Sequence, residues 1–407
     1  MSRTFALLLL TAMVLGIAVG LAGHAWLDAG QIAQLTDGFG LVTFAFLRLI
    51  RMIIAPLVLS TLIVGIAHME DAAAISRVGA RAIAWFVLAS LVSLVLGLIM
   101  VHLFQPGVGL SLPPAAGAAP ATAASLSLTD FLTHLIPRSI VEAMANNEIL
   151  QIVVFACFLG TAMAATQDRA PAILALAEQV AAVMLKITSY VMKVAPLVVF
   201  AALASTVATQ GAGVLLTYAR FVGSFYLALL LLWAVLFAVA AVIRRGGTAA
   251  LFHAVRDPVL LAFSTASSEA AYPRLLEQLQ RIGLPRRIVS FVLPLGYSFN
   301  LDGSTMYCTF ATLFIAQAYG IDLTLGQQVT LLLIMMITSK GMAGVPRASL
   351  VVILAALPYF HIPEAGLLLV LAVDHLLDMG RSGTNIVGNA VACVVVDAWE
   401  GRAKPVQ

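Results

Sequence analysis

Apolar runs follow one another along nearly the whole of this sequence, at about 5–27, 40–67, 80–104, 149–167, 171–208, 212–243, 249–282, 287–319, 326–360 and 364–398. Most exceed the roughly 20 residues that a helix needs to cross a bilayer. Hydrocarbon offers no partner to backbone N–H and C=O groups, so such a chain can fold only as helices or as a closed barrel. A barrel needs short strands of alternating polarity, which these unbroken runs are not. With 62% hydrophobic and 10% charged residues, against about 25% charged in soluble domains, the sequence predicts an all-α polytopic membrane protein. Its longest runs must tilt, break or re-enter.

The opening stretch MSRTFALLLLTAMVLGIAVGLAGHAWL reads as a retained first membrane helix, because a second run follows closely. Lys and Arg set the orientation. Residues 24–42 and 82–137 contain neither, whereas Arg77, Arg81, Arg244, Arg245, Arg402 and Lys404 mark alternate ends. Both termini are therefore expected in the cytoplasm. PGVGLSLPPAAGAAPATAAS (106–125) becomes an outward-facing low-complexity loop. Arg48 and Arg51, inside the second run, have no account at this level. Cys157, Cys308 and Cys393 are odd in number and lie in apolar stretches, which reads as packing thiols. His375 neighbours polar positions, but its spacing points it sideways.

An internal echo is more telling. TASSEAAYPR (265–274) and TSKGMAGVPR (338–347) both fit T-x-x-x-x-A-x-x-P-R. Each is rich in small residues, interrupts an apolar segment with a proline that has no N–H, and precedes a polar-spiked run, LDGS and LDMGRS. Paired Gly/Pro-interrupted segments point to inverted repeats whose tips re-enter the membrane, a backbone tolerable only inside protein or along a cavity.

The last run carries Asp374, Asp378, Arg381, Asn385 and Asn389. Their spacing puts them on one helical face, with Leu, Val and Ala opposite, so the stripe faces the bundle interior. A charge in the bilayer costs at least about 2.5–3.5 kcal/mol per residue, too much for glue alone. Arg381 presents a planar fork suited to a carboxylate. Asp378, one turn away, accepts from an ammonium, and Ser382 adds a hydroxyl. Asn300, Asp302, Asn385 and carbonyls around Gly296 and Ser298 are hard oxygen ligands for a small alkali cation. Asn300 and Asp302 are thus expected to break a helix in order to hold a cation beside an anionic substrate.

TASSEAAYPR, NLDGS, SKGMAGVP and LLDMGRSGTNIVGNA, with MIIAPLVLSTLIVGIAHM and LGLIMVHLFQPG earlier, resemble the dicarboxylate/amino acid:cation symporters. These include archaeal aspartate transporters and mammalian excitatory amino acid transporters. The resemblance runs over essentially the full chain. It implies eight transmembrane helices, two re-entrant helical hairpins, inverted repeats, an elevator-type transporter and a homotrimer. Scaffold helices 1–2 and 4–5 would occupy 1–75 and 149–210, helix 3, which belongs to the transport domain, 76–105 and an external loop 106–148. The rest of the transport domain would occupy 211–407, with helix 6 first, hairpins at about 249–282 and 326–360, and helices 7 and 8 at about 287–319 and 364–398. The tip around Gly344–Pro346 would be the gate.

By the same resemblance, Arg381 takes the substrate's side-chain carboxylate and Asp378 its amino group. Asn385, Ser267, Ser268, Gly344 and Val345 take the main-chain carboxylate, with Ser382 beside them. Asn300 and Asp302 match cation ligands, and Gly296, Ser298, Asn385, Asn389 and Ser90 complete the candidate cation set. This chain departs from the sodium-coupled archaeal pattern, with Asn389 where that has Asp, and Phe86 and Ala89 where it has Tyr and Thr. Only Ser90 remains there. Glu269, in a low-dielectric hairpin tip, is the candidate proton carrier. Lys340 and Arg347 flank the second tip.

The expected protein is no enzyme: HExxH, GxSxG and CxxC are all missing from the sequence. It imports aspartate or glutamate with Na+ and/or H+, needs no cofactor, and sits in a bacterial inner membrane among lipid, without nucleic acid. The alternatives are a symporter for succinate, malate or fumarate, and, from another class, an anion channel.

Overall fold

The computed structural model describes residues 3–75, 77–110, 136–166, 171–244, 248–339 and 348–402, and among these the regular structure is entirely helical. The order is α1 (Arg3–Trp26), α2 (Ala29–Ile75), α3 (Arg77–Phe104), α4 (Ile140–Ala145), α5 (Ile149–Ala165), α6 (Pro171–Met192), α7 (Ala195–Gln210) and α8 (Gly213–Arg244). Then come α9 (Thr248–Thr265), α10 (Tyr272–Arg281), α11 (Arg286–Phe299), α12 (Asp302–Ala318), α13 (Leu325–Thr338), α14 (Ala348–Ala356) and α15 (Leu367–Arg402). Stretches 7–26, 29–64, 78–104, 171–191 and 213–243 are long and apolar enough to cross a membrane.

Two run boundaries differ from the sequence reading. The run at 171–208 is not one helix: α6 ends at Met192, and Pro196 stands in the first turn of α7. Proline is at home there, where its missing N–H has no partner to lose. The second run extends well beyond 40–67, because α2 begins at Ala29 and continues through Pro56 to Ile75.

The helices pack in two groups. In the first, α1 lies on α7, while α2 lies on α5, α6 and α7. In the second, α15 is the hub, packed by α3, α8, α9, α11 and α12. Nearly every residue of 367–396 is buried, so the polar stripe of this helix faces protein and its apolar flanks are covered as well. Two hydrogen bonds fasten α8 to α15: Tyr226 O–H donates to Leu376 O at 2.6 Å, and Trp233 Nε1–H to Thr384 Oγ1 at 2.8 Å.

The first repeated motif falls where the chain turns back between α9 and α10, which pack together. Ala266 takes a left-handed φ of 48°, a conformation that costs a non-glycine residue about 1–2 kcal/mol. The bend is closed by Ser267 N–H on Ala262 O at 3.1 Å. A 3-10 turn, Glu269–Ala271, then leads into α10. Of the second motif, Lys340–Arg347 lies outside the described residues. The helix before it, α13, starts with a reciprocal cap between Thr324 and Gln327.

Candidate functional site

The helix break falls where NLDGS predicts it. α11 ends at Phe299 and α12 begins at Asp302, with Asn300 and Leu301 in non-helical conformations between them. Asn300 and Asp302 are both 0% exposed. Asn300 Nδ2 donates to Asp302 Oδ2 at 3.1 Å and, more weakly, to Asn389 Oδ1 at 3.5 Å. That bond joins the break to α15. Asn300 Oδ1 and Asn389 Nδ2 are buried without a hydrogen bond among the described residues, a costly state unless a ligand or other partner supplies the bond. Ser90, on α3, is also buried. One expectation needs correcting: the Gly296 carbonyl is not freed by the break, since it accepts Asn300 N–H at 2.7 Å. The Ser298 side chain lies outside the described residues.

Glycines let these groups meet. A methyl on Gly388 would overlap Asp302 Oδ2, and one on Gly296 would overlap Asn389 Oδ1. At Gly303 a methyl would meet Arg381 O at 2.6 Å. The broken helix thus lies directly on the backbone of α15. Gly388→Ala is therefore expected to displace Asp302, at the ~1–3 kcal/mol that overpacking costs. Half-saturating cation should rise by about tenfold, as for loss of a metal-site support, measured as initial uptake at fixed substrate.

Two turns away along α15 lies Arg381, 1% exposed. Its Nε donates to Asp378 Oδ1 at 2.7 Å and its Nη1 to Asp374 Oδ1 at 3.3 Å. Tyr307 of α12 donates to the same Asp374 oxygen at 2.7 Å, and its ring lies 4.3 Å from the guanidinium carbon, a cation–π contact strengthened by burial. Arg381 Nη2 is buried and has no acceptor among the described residues. The guanidinium is thus held on two sides and keeps one N–H-bearing nitrogen for another oxygen. Tyr307→Phe keeps the ring and removes the bond to Asp374, worth about 1.5–3 kcal/mol for a charged acceptor. Substrate KM is expected to rise about tenfold, read from saturation of initial uptake.

Spacing alone puts Asp374 on the stripe without giving it a partner, and it does not point to Tyr307. The available signal was a tyrosine on the apolar helix that starts at the break. Ser382 is buried next to Arg381. Asn385 has partners other than those the resemblance implies. Its Oδ1 accepts Gly303 N–H at 2.9 Å and Ser304 N–H at 3.3 Å, and its Nδ2 donates to Ser304 Oγ at 3.1 Å. It therefore satisfies the first N–H groups of α12, which lack partners within the helix. Ser268 is buried and Ser267 half-buried at the α9 turn. The helix leading to them places Val259 Cγ1 within 3.5 Å of a Cβ position on Gly383, two residues from Arg381. Glu269 is exposed in the 3-10 turn that leads into α10. Gly344 and Val345 lie outside the described residues.

The site offers buried charge, oxygen lone pairs and N–H donors, groups that bind ions, in a bundle that holds helices long and apolar enough to cross a membrane, a combination that suits a transporter. The comparisons agree. The model of the sodium:dicarboxylate symporter family matches residues 5–399. A C4-dicarboxylate transport protein of Cupriavidus pinatubonensis is 40% identical over 98% of this chain and 93% of its own length. The proton/sodium-glutamate symport protein of Bacillus subtilis is 37% identical over 97% of this chain and 92% of its own. The proton/glutamate-aspartate symporter of Escherichia coli is 38% identical, with the same coverage. This chain belongs to the sodium:dicarboxylate symporter family.

Proposed function

We propose that the protein is a secondary active symporter that imports aspartate or glutamate with Na+ and/or H+. The observation that supports this is the buried Arg381 nitrogen without an acceptor among the described residues, beside the Asp378 carboxylate. The substrate's side-chain carboxylate takes that nitrogen, and its ammonium goes to Asp378. Two acidic side chains around one guanidinium suit a substrate that brings a cation of its own. Ser382, Ser267, Ser268, Asn385 and the segment with Gly344 and Val345 complete the substrate cradle. Asn300, Asp302, Asn389 and Ser90 seat the coupling ion, with the Gly296 and Ser298 carbonyls near it. Glu269, on an exposed turn, is open to protons and is the candidate proton carrier.

In this reading the second packing group is the moving transport domain, α9–α10 and α13–α14 are the re-entrant hairpins, and the first group is the scaffold of a homotrimer. Eight helices span the bacterial inner membrane, with both termini in the cytoplasm. A second reading, a C4-dicarboxylate:cation symporter, rests on the similarity to the Cupriavidus protein. The test is radiolabelled aspartate uptake into proteoliposomes under separately imposed sodium and proton gradients, challenged by glutamate, succinate and malate. Saturable accumulation blocked by glutamate and not by succinate supports the proposal. Block by succinate and malate alone supports the second reading, and unsaturable equilibration would mean a pore.

A further inference from the structure

At the C-terminal end of α15, two contacts join it to the start of α3. Arg81 Nη1 lies 2.8 Å from Glu400 Oε2, with the side chains 23% and 12% exposed. Beside them the Trp85 and Trp399 rings meet edge to face, centroids 6.3 Å apart. From there α3 continues along α11, α12 and α15. The Phe86 ring comes within 3.6 Å of a Cβ position on Gly296, and Ser90, one turn on, is buried. The symport reading uses none of Arg81, Trp85, Trp399 and Glu400.

We infer that this charged and aromatic clasp positions the cation site by fixing the register of α3 on α15. At ~1.5 Å per residue, Ser90 lies about 14 Å along its helix from Arg81, and Asn389 about 16 Å along its helix from Glu400. The clasp therefore does not touch the ion. It acts through two stiff helices, which set how near Ser90 stands to Asn389, Asn300 and Asp302. A charge-assisted bond of this length, largely shielded from water, holds geometry as an exposed pair does not. Rings packed edge to face add a second fixed point. Arg81, Glu400, Trp85 and Trp399 are positioning residues in this scheme.

The inference rests on the cation-coupled symport proposed above, and the experiment separates the two. Full-length wild type, Arg81→Ala, Glu400→Ala, the double variant and the charge swap Arg81→Glu/Glu400→Arg are reconstituted in liposomes. Half-saturating sodium is measured at fixed pH, half-saturating proton at fixed sodium, and substrate KM at saturating cation. Each single variant is expected to raise half-saturating cation by about tenfold, and the double variant no further than either. The swap should recover most of the loss, with substrate KM held within about twofold throughout. Arg81→Lys, which keeps the charge, is the second variant if Arg81→Ala does not assemble, and is expected to stay near wild type. Variants that lose only thermal stability or maximal rate, with half-saturating cation unchanged, overturn the clasp. A wild type whose uptake ignores both cations overturns the symport reading first, and the clasp with it.

Discussion

Arg381→Lys is expected to lower aspartate uptake by about a hundredfold or more, with the protein still folded. Lysine keeps the positive charge but loses the fork. In the structure one guanidinium reaches Asp378 through Nε, Asp374 through Nη1, and keeps Nη2 for a further acceptor. An ammonium is a compact charge without that fixed geometry. It cannot hold both carboxylates in place and also meet a third. Breaking a buried hydrogen-bonded charge pair costs about 2–5 kcal/mol, much of it from the partner left behind, and each 1.4 kcal/mol is about tenfold. The measurement is initial uptake into proteoliposomes, with size-exclusion profiles as the control for assembly. Near-wild-type uptake would place the substrate carboxylate elsewhere.

Asp378→Asn divides the two substrate readings. Asparagine still offers an oxygen to Arg381 Nε, so the local shape survives. What goes is the charge that receives an ammonium. Aspartate uptake is expected to fall by at least about thirtyfold, from the ~2–5 kcal/mol at stake in a desolvated charge pair. Succinate, which has no ammonium, should lose about tenfold at most, from the weaker hold on Arg381. Uptake of both substrates measured side by side in the same liposomes gives the answer. Equal loss of both would remove Asp378 from amino-group recognition.

The polar stripe of the last helix was legible because helical spacing alone puts Asp374, Asp378, Arg381, Asn385 and Asn389 on one face, and all five are buried. Spacing names a face and not a partner. It could not say that Asn385 would satisfy Gly303 and Ser304 N–H groups, nor that Asp374 would share an oxygen between Arg381 and Tyr307. Those pairings come from how α12 docks on α15, between residues 67 to 82 positions apart in the chain. The break at Asn300 was visible as polar residues in an apolar run. The break before α7 was marked only by Pro196, and the surrounding hydrophobicity hid it. Gly303 and Gly388 carry no chemical signal of their own. Their meaning lies in which neighbour fills the space a methyl would take.

Gly303 has one more consequence. It rests on the carbonyl of Arg381, so the oxygen cluster and the guanidinium are built on one shared stretch of backbone. If the proposed ion and substrate bind there, whatever steadies one end steadies the other, and thermodynamics then demands symmetry: the ion would sharpen affinity for the substrate by the same factor as the substrate sharpens affinity for the ion. Energies of this kind run about 1–3 kcal/mol, or roughly 5- to 150-fold. In the proposed symport, tight coupling would then have a mechanical origin in the lack of a side chain, since a carrier whose two cargoes stabilise one piece of main chain is poorly stabilised by either alone.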